Sequence, residues 1–183
     1  MKNIVVARRY AKALILIGQS DAKIGDYAKE ISSIAAVFES NKELSEFLLN
    51  PLYGRSDRRQ VLLNVMEELS MSETMESFIM LLFDKARIGL VYEINENYQK
   101  LADEISNIGR AVITSASPLS EDIVDKLKSA LSAKTGKQIE VELKNDPEII
   151  GGIITVIGDL VYDGSIKTQL ENMKESFKRG EVS

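Results

Sequence analysis

The sequence predicts an α+β protein: an N-terminal six-helix bundle followed by a small C-terminal α+β domain with a mixed sheet. Three observations predict it. From Val6 to about Ile108 apolar residues recur at the three-and-four spacing of amphipathic helices. After Gly109 the period changes, and Ile139, Val141 and Leu143 alternate with polar residues as a half-buried strand does. Between Asp146 and Lys167, glycines and β-branched residues fall where a β-hairpin needs them. The change of period divides the chain into a helical bundle, residues 1–108, and an α+β domain, residues 109–183, both of ordinary domain size.

In the first half, a helix carrying Val6, Tyr10, Ala13, Leu14 and Ile17 on one face is expected to stop at Gly18. Asp21 is placed to cap a second helix, whose Ile24, Tyr27, Ile31, Ile34 and Phe38 form a stripe ending near Ser40 and Asn41. A short third helix, Lys42 to Leu49, must end before Asn50-Pro51, because a residue preceding proline is pushed out of the α region. Gly54 completes that break, and Ser56 or Asp57 restarts the chain into a fourth helix bearing Val61, Leu62, Val65 and Leu69. Ser72 is expected to cap a fifth helix, with Glu73 and Glu76 favourably placed in its first turn. This helix is the most apolar of the set. Met75, Phe78, Ile79, Leu82 and Phe83 cover one broad face, and Met80 and Leu81 extend it sideways beyond the needs of one small core. Gly89 separates it from a last helix striped by Leu90, Ile94, Tyr98, Leu101 and Ile105.

In the second half, Arg110 to Ala116 reads as a strand, Ser117-Pro118 as a turn, and Ser120 as the cap of a helix carrying Ile123, Leu127 and Leu131. Gly136 ends that helix, and the strand from Gln138 closes at Asp146-Pro147. A strand, helix, strand connection predicts parallel pairing through a right-handed crossover. Gly151 to Ile157 and Leu160 to Tyr162, joined through Gly158-Asp159, predict an antiparallel hairpin. Ser165 then caps a terminal helix carrying Ile166, Leu170, Met173 and Phe177.

Composition narrows the function. The chain has no Cys and no His, which removes thiolate and imidazole chemistry, the usual zinc and haem ligands, and any disulfide framework. Its net charge of -5 is spread evenly, with 13 basic and 16 acidic side chains up to Ile108 and 10 and 12 beyond it. Neither half offers the clustered cationic surface that nucleic acids require, Arg55, Arg58 and Arg59 being the main local cluster beyond Arg8 and Arg9. The amino terminus is interrupted by Arg8, Arg9 and Lys12, unlike a signal peptide, and no run approaches the ~20 apolar residues of a membrane-spanning helix. A cytoplasmic protein that meets a membrane only through partners is expected.

Candidate chemistry dissolves on inspection. Asp146, Glu148, Asp159 and Asp163 are carboxylates at strand ends, where turns call for them. Thr135-Gly136-Lys137-Gln138 lacks the hydroxyl residue and the upstream glycine of a phosphate loop, and Gly151-Gly152 precedes a strand rather than a helix. A bulge or a close backbone approach explains that glycine pair. No catalytic residue, cofactor or metal is expected. The helical half alone would equally suit a cytoplasmic helical adaptor.

Four stretches together carry a resemblance: Val6-Ala7-Arg8-Arg9-Tyr10-Ala11-Lys12-Ala13-Leu14; Leu49-Asn50-Pro51; Phe78-Ile79-Met80-Leu81-Leu82 with Arg87; and Asp146 to Ile166. In kind and order they resemble the delta subunit of bacterial F-type ATP synthases, whose mitochondrial relative is the oligomycin-sensitivity-conferring protein. The most specific part is the last, with its Gly-Gly, Ile-Gly-Asp and Asp-Gly-Ser elements. The resemblance implies a non-catalytic stator component at the cytoplasmic face of the cell membrane. Its helical domain would sit on the catalytic head and its α+β domain would hold the peripheral stalk. It also implies that a groove between the first and fifth helices takes the amino-terminal segment of an alpha subunit, through Arg8, Tyr10, Ala13, Leu14, Phe78, Leu81, Leu82 and Arg87. For the stalk b subunits the expected contacts are Ile149, Ile150, Leu170, Met173 and Phe177, at least half of which are expected to be core.

Overall fold

The computed structural model describes residues 2–179; the side chains of Lys2, Asn3, Glu148, Lys178 and Arg179 lie outside the described set. Among the described residues there are eight α-helices and a four-stranded mixed sheet. The chain divides between Ala102 and Asp103 into two compact units.

The first unit holds α1 (Lys2–Ser20), α2 (Ile24–Ser40), α3 (Lys42–Leu49), α4 (Arg55–Glu68), α5 (Glu73–Asp84) and most of α6 (Val91–Ile105), the last preceded by a 3-10 turn at Ile88–Leu90. One apolar core runs through it, with Leu14, Tyr27, Ile31, Ile34, Leu62, Met66, Met75, Ile79, Leu82, Ile94 and Tyr98 fully buried. The two tyrosines bring their hydroxyls with partners. Tyr98 donates to the Ile24 carbonyl at 3.0 Å and Tyr27 to Asp21 Oδ2 at 2.7 Å. Polar side chains fix how α2 meets its neighbours: Ser32 donates to Asn95 Oδ1 at 3.0 Å, Gln99 donates to the Ala28 carbonyl at 2.9 Å, and Glu30 accepts from the Ser72 N–H and hydroxyl.

Several sequence expectations for this unit change. The buried face of α1 is Ala7, Ala11, Leu14 and Ile15, whereas Val6 and Tyr10 are half-buried and Ala13 and Ile17 exposed. Gly18 does not end α1. It is a packing residue, since a Cβ there would lie 3.1 Å from the Tyr98 hydroxyl and 3.3 Å from Ile24 Cα. The helix instead closes two residues later, where Ala22 turns left-handed at φ 55° and the N–H groups of Lys23 and Ala22 return to the Gly18 and Gln19 carbonyls. That is a Schellman closure without glycine. The same closure ends α4 at Ser70 and α5 at Ala86. Asp21 binds Tyr27 rather than capping α2, and α4 starts from Gly54, ahead of Ser56 and Asp57. Ser72 stands at the start of α5 but spends its side chain on Glu30.

The second unit holds β1 (Ile108–Ser115), α7 (Glu121–Thr135), β2 (Gln138–Asn145), β3 (Ile153–Ile157), β4 (Leu160–Asp163) and α8 (Ile166–Arg179). The sheet order is β2-β1-β3-β4, with β1 and β2 parallel and the other pairs antiparallel. The parallel β1–β2 pair and the β3–β4 hairpin are as expected; the antiparallel junction of β1 with β3 was not anticipated. In register, Ala111 stands opposite Val141 on one side and Ile157 on the other, and Leu131 of α7 packs on that line together with Ile139. The core is thin, and no residue of α7 is fully buried. Gly136, left-handed at φ 68°, ends α7 as expected.

Candidate docking surfaces

The first surface lies where α1 meets α5. Val6, Tyr10, Ala13 and Ile17 recur at four, three and four residues, one stripe along the helix beside its buried face. Tyr10 meets Phe78 of α5 edge-on, with ring centroids 6.2 Å apart at 72°. Beyond the end of α5, Arg87 donates from Nη1 to the Tyr10 hydroxyl at 2.7 Å, and its guanidinium carbon lies 5.5 Å from the centre of the Tyr10 ring. The Schellman closure sets its direction, because the Arg87 N–H bonds the Leu82 carbonyl at 2.7 Å. Leu81, 45% exposed, extends the apolar strip along α5.

Of the eight residues expected here, the structure brings Tyr10, Phe78 and Arg87 together, with Leu81 one turn along α5 from Phe78 and Ala13 along the same stripe of α1. Leu14 and Leu82 are completely buried and Phe78 nearly so, so they support the strip from beneath. Arg8 is exposed, but two residues along an α-helix turn about 200°, which carries it to the far side of α1 from Tyr10. Val6 and Ile17 had been assigned to the core stripe; their real signal is that helical spacing places them with Tyr10 and Ala13.

The second surface lies on the second unit. Ile149 is buried, but Ile150, Leu170, Met173 and Phe177 are between 55% and 68% exposed, against the expectation that at least half of the five are core. The physical reason is that α8 has no fully buried side chain among those described: Ile166, Leu170, Met173 and Phe177 make one stripe at spacings of four, three and four, of which Ile166 lies against Gly151 and the other three stay more than half exposed. Leu160 and Val161, both exposed on the edge strand β4, were not anticipated as surface residues.

The start of α8 is firmly built. Ser165 Oγ accepts from the Thr168 N–H at 3.2 Å, while Asp163 accepts from the Ser165 N–H at 2.9 Å and the Thr168 hydroxyl at 2.7 Å. These bonds hold the Asp163 carboxyl below its ordinary range, the Ser165 N–H being the largest cause. Asp163 is therefore a turn and cap residue, as its position after a strand suggested. Among the described residues no cluster of three or more carboxylates is placed to hold a metal, and no helix is long and apolar enough to cross a membrane.

Each unit thus carries an apolar helical stripe that its own core leaves at least partly uncovered. A family model of the ATP synthase delta (OSCP) subunit matches residues 6–177. Proteins named ATP synthase subunit delta from Desulfosudis oleivorans and Desulforapulum autotrophicum are 51% and 46% identical to it, each over 99% of both chains. A chain of the Toxoplasma gondii mitochondrial ATP synthase hexamer shares the fold, with a TM-score of 0.67 at 17% identity over 93% of this chain and 96% of that one. The chain belongs to the ATP synthase delta (OSCP) subunit family.

Proposed function

We propose that the chain is a non-catalytic stator subunit of an F-type ATP synthase, part of the stalk that links the catalytic head to the ion-translocating membrane sector. The rotor turns within the head, and the head would follow it unless a membrane-anchored element opposed the torque. In this reading the helical unit holds the head through the amino-terminal segment of an alpha subunit, laid in the α1–α5 groove as an amphipathic helix. The second unit holds the peripheral-stalk b subunits through Ile150 and the stripe of α8. The protein reaches the cytoplasmic face of the membrane through the complex alone. Membership of the family sets aside the unrelated adaptor.

The observation that carries this reading is a pair of apolar helical stripes, one on each unit: Val6-Tyr10-Ala13-Ile17, half-buried at Val6 and Tyr10 and exposed at Ala13 and Ile17, and the exposed Ile166-Leu170-Met173-Phe177. Exposed apolar residues aligned at helical spacing mark an interaction face. The test is calorimetry of the full chain against a peptide of the alpha amino-terminal segment. A carboxylate buried in such an interface costs at least ~2 kcal/mol, roughly thirtyfold in affinity, so Leu81→Asp is expected to bind at least that much more weakly. Leu81 is half exposed, so the variant keeps its helical signal. Equal affinity of both proteins would overturn the assignment.

A further inference from the structure

The α1–α5 groove carries charge of one sign. The sequence of α1 contains no Asp or Glu, and of its basic residues Arg8 and Lys12 turn away from the groove while Arg9 stays beside it. By the helical count, Arg9 flanks the Tyr10 stripe on its outer side, and on α5 the positions nearest the Phe78–Leu81 strip are Thr74, Ser77 and Lys85. Glu76 falls on the opposite side of α5, and Asp84, the α5 carboxylate nearest to the strip by helical count, is held at 2.8 Å by Arg55. At the end of the strip stands Arg87. Its guanidinium spends one N–H on Tyr10, and no carboxylate among the described residues pairs with it. Four donors of the planar fork remain, on an exposed side chain whose base is fixed by the helix closure and whose head is fixed by Tyr10.

An arginine so oriented is suited to a carboxylate, which its fork grips by two parallel bonds. We propose that the segment seated in the α1–α5 groove is an acidic amphipathic helix, and that Arg87, positioned by Tyr10, receives one of its carboxylates. The proposal rests on the groove reading above and adds the chemistry of the partner. The apolar strip supplies area; the Arg87 pair fixes the direction and register of the bound helix, because only one end of the groove offers the fork.

The test uses the full chain and a synthetic peptide of the alpha amino-terminal segment, titrated calorimetrically in low and high salt. Raising the salt from about 0.05 to about 0.5 M should weaken binding roughly tenfold through screening of the exposed charges. Arg87→Gln should lose about tenfold at low salt and flatten the salt dependence, and Arg87→Lys should recover the salt dependence but only part of the affinity. Tyr10→Phe, which removes the hydroxyl that holds the guanidinium, should lose a few-fold. Peptides with each Asp or Glu changed in turn to its amide leave the protein untouched. One of them should lose affinity for the native chain but not for Arg87→Gln, the signature of a direct pair. If the native chain and Arg87→Gln bind alike at both salts while Leu81→Asp still abolishes binding, the proposal falls and the apolar groove stands. If the native chain has no affinity for the peptide, the groove reading itself falls.

Discussion

Gly152 is where a single methyl group should do most damage. Its φ is +83°, a conformation that costs an L-residue about 1–2 kcal/mol. A Cβ there would stand 2.3 Å from the Gly164 carbonyl oxygen and 3.0 Å from Ser165 Cα, both backbone atoms with no flexible end to yield. The segments must part by about 1 Å to reach ordinary contact distance. Two bonds join them on either side, Gly164 N–H to the Ile153 carbonyl and Ile166 N–H to the Gly151 carbonyl, both 2.9 Å. Losing both adds roughly 2 kcal/mol, so Gly152→Ala should cost about 3–4 kcal/mol in all.

Gly158 supplies the control. It also has positive φ, +55°, but a Cβ there meets nothing within 4 Å, so Gly158→Ala should cost only the conformational ~1 kcal/mol. Both variants stiffen the unfolded chain equally, so their difference isolates the steric clash. Urea denaturation read by amide exchange would assign the loss to β3, β4 and the start of α8, leaving protection in α1 to α6 unchanged. Because the strained contact ties β3 to the start of α8, Gly152→Ala should also weaken stalk binding while sparing the alpha peptide. Equal destabilisation by the two substitutions would refute the reasoning.

Three further outcomes are expected. Burial pushes the Tyr98 hydroxyl up from 10.0 to about 12, so the stability that its neutral form supplies is complete below pH 10 and is lost as pH rises through 12. Tyr98→Phe should remove that alkaline slope in denaturation series and cost ~1 kcal/mol near neutrality, for the lost bond to the Ile24 carbonyl. Ala86→Gly should stabilise the helical unit by up to ~1 kcal/mol, because glycine occupies the left-handed closure of α5 without strain, and a lower melting temperature would count against it. The double change Leu170→Asp with Met173→Asp should leave the melting temperature nearly unchanged, both side chains being exposed, yet abolish pull-down of the stalk subunits.

How far the sequence could be read depended on whether a local rule decided the matter. Asn50-Pro51 stops α3 and Gly136 stops α7 through backbone sterics that no tertiary contact alters, and both ends fall where expected. The parallel pairing of β1 with β2 follows from the intervening helix. In α1, by contrast, Ile4, Val5, Leu16 and Ile17 are all exposed, so apolar residues ring the helix and periodicity shows a helix without showing which side is inward. Its core face is half alanine, chosen for close approach rather than hydrophobicity. Closures on Ala22, Ser70 and Ala86 carry no glycine to announce them. Tyr10, Leu81 and Arg87 come from the family resemblance and not from a local rule, and the separation of Tyr10 from the buried Leu14 could not be read, since helical spacing puts both near one face.

The construction of α8 bears on how it binds. With 14 residues it lies at the length where a helix lacking tertiary support is marginal in water, and beyond Ile166, which rests on Gly151, its apolar stripe stays more than half exposed. Yet its first turn is held by three bonds among Asp163, Ser165 and Thr168, and by the Ile166 N–H on Gly151. A capped first turn removes the costly nucleation step. Each residue ordered before an encounter is one whose entropy is not lost during it, so such a cap would favour binding without touching a partner. If α8 is the stalk-binding face proposed above, the glycines and carboxylates between Asp146 and Lys167 contribute to docking indirectly, by presenting a helix already started.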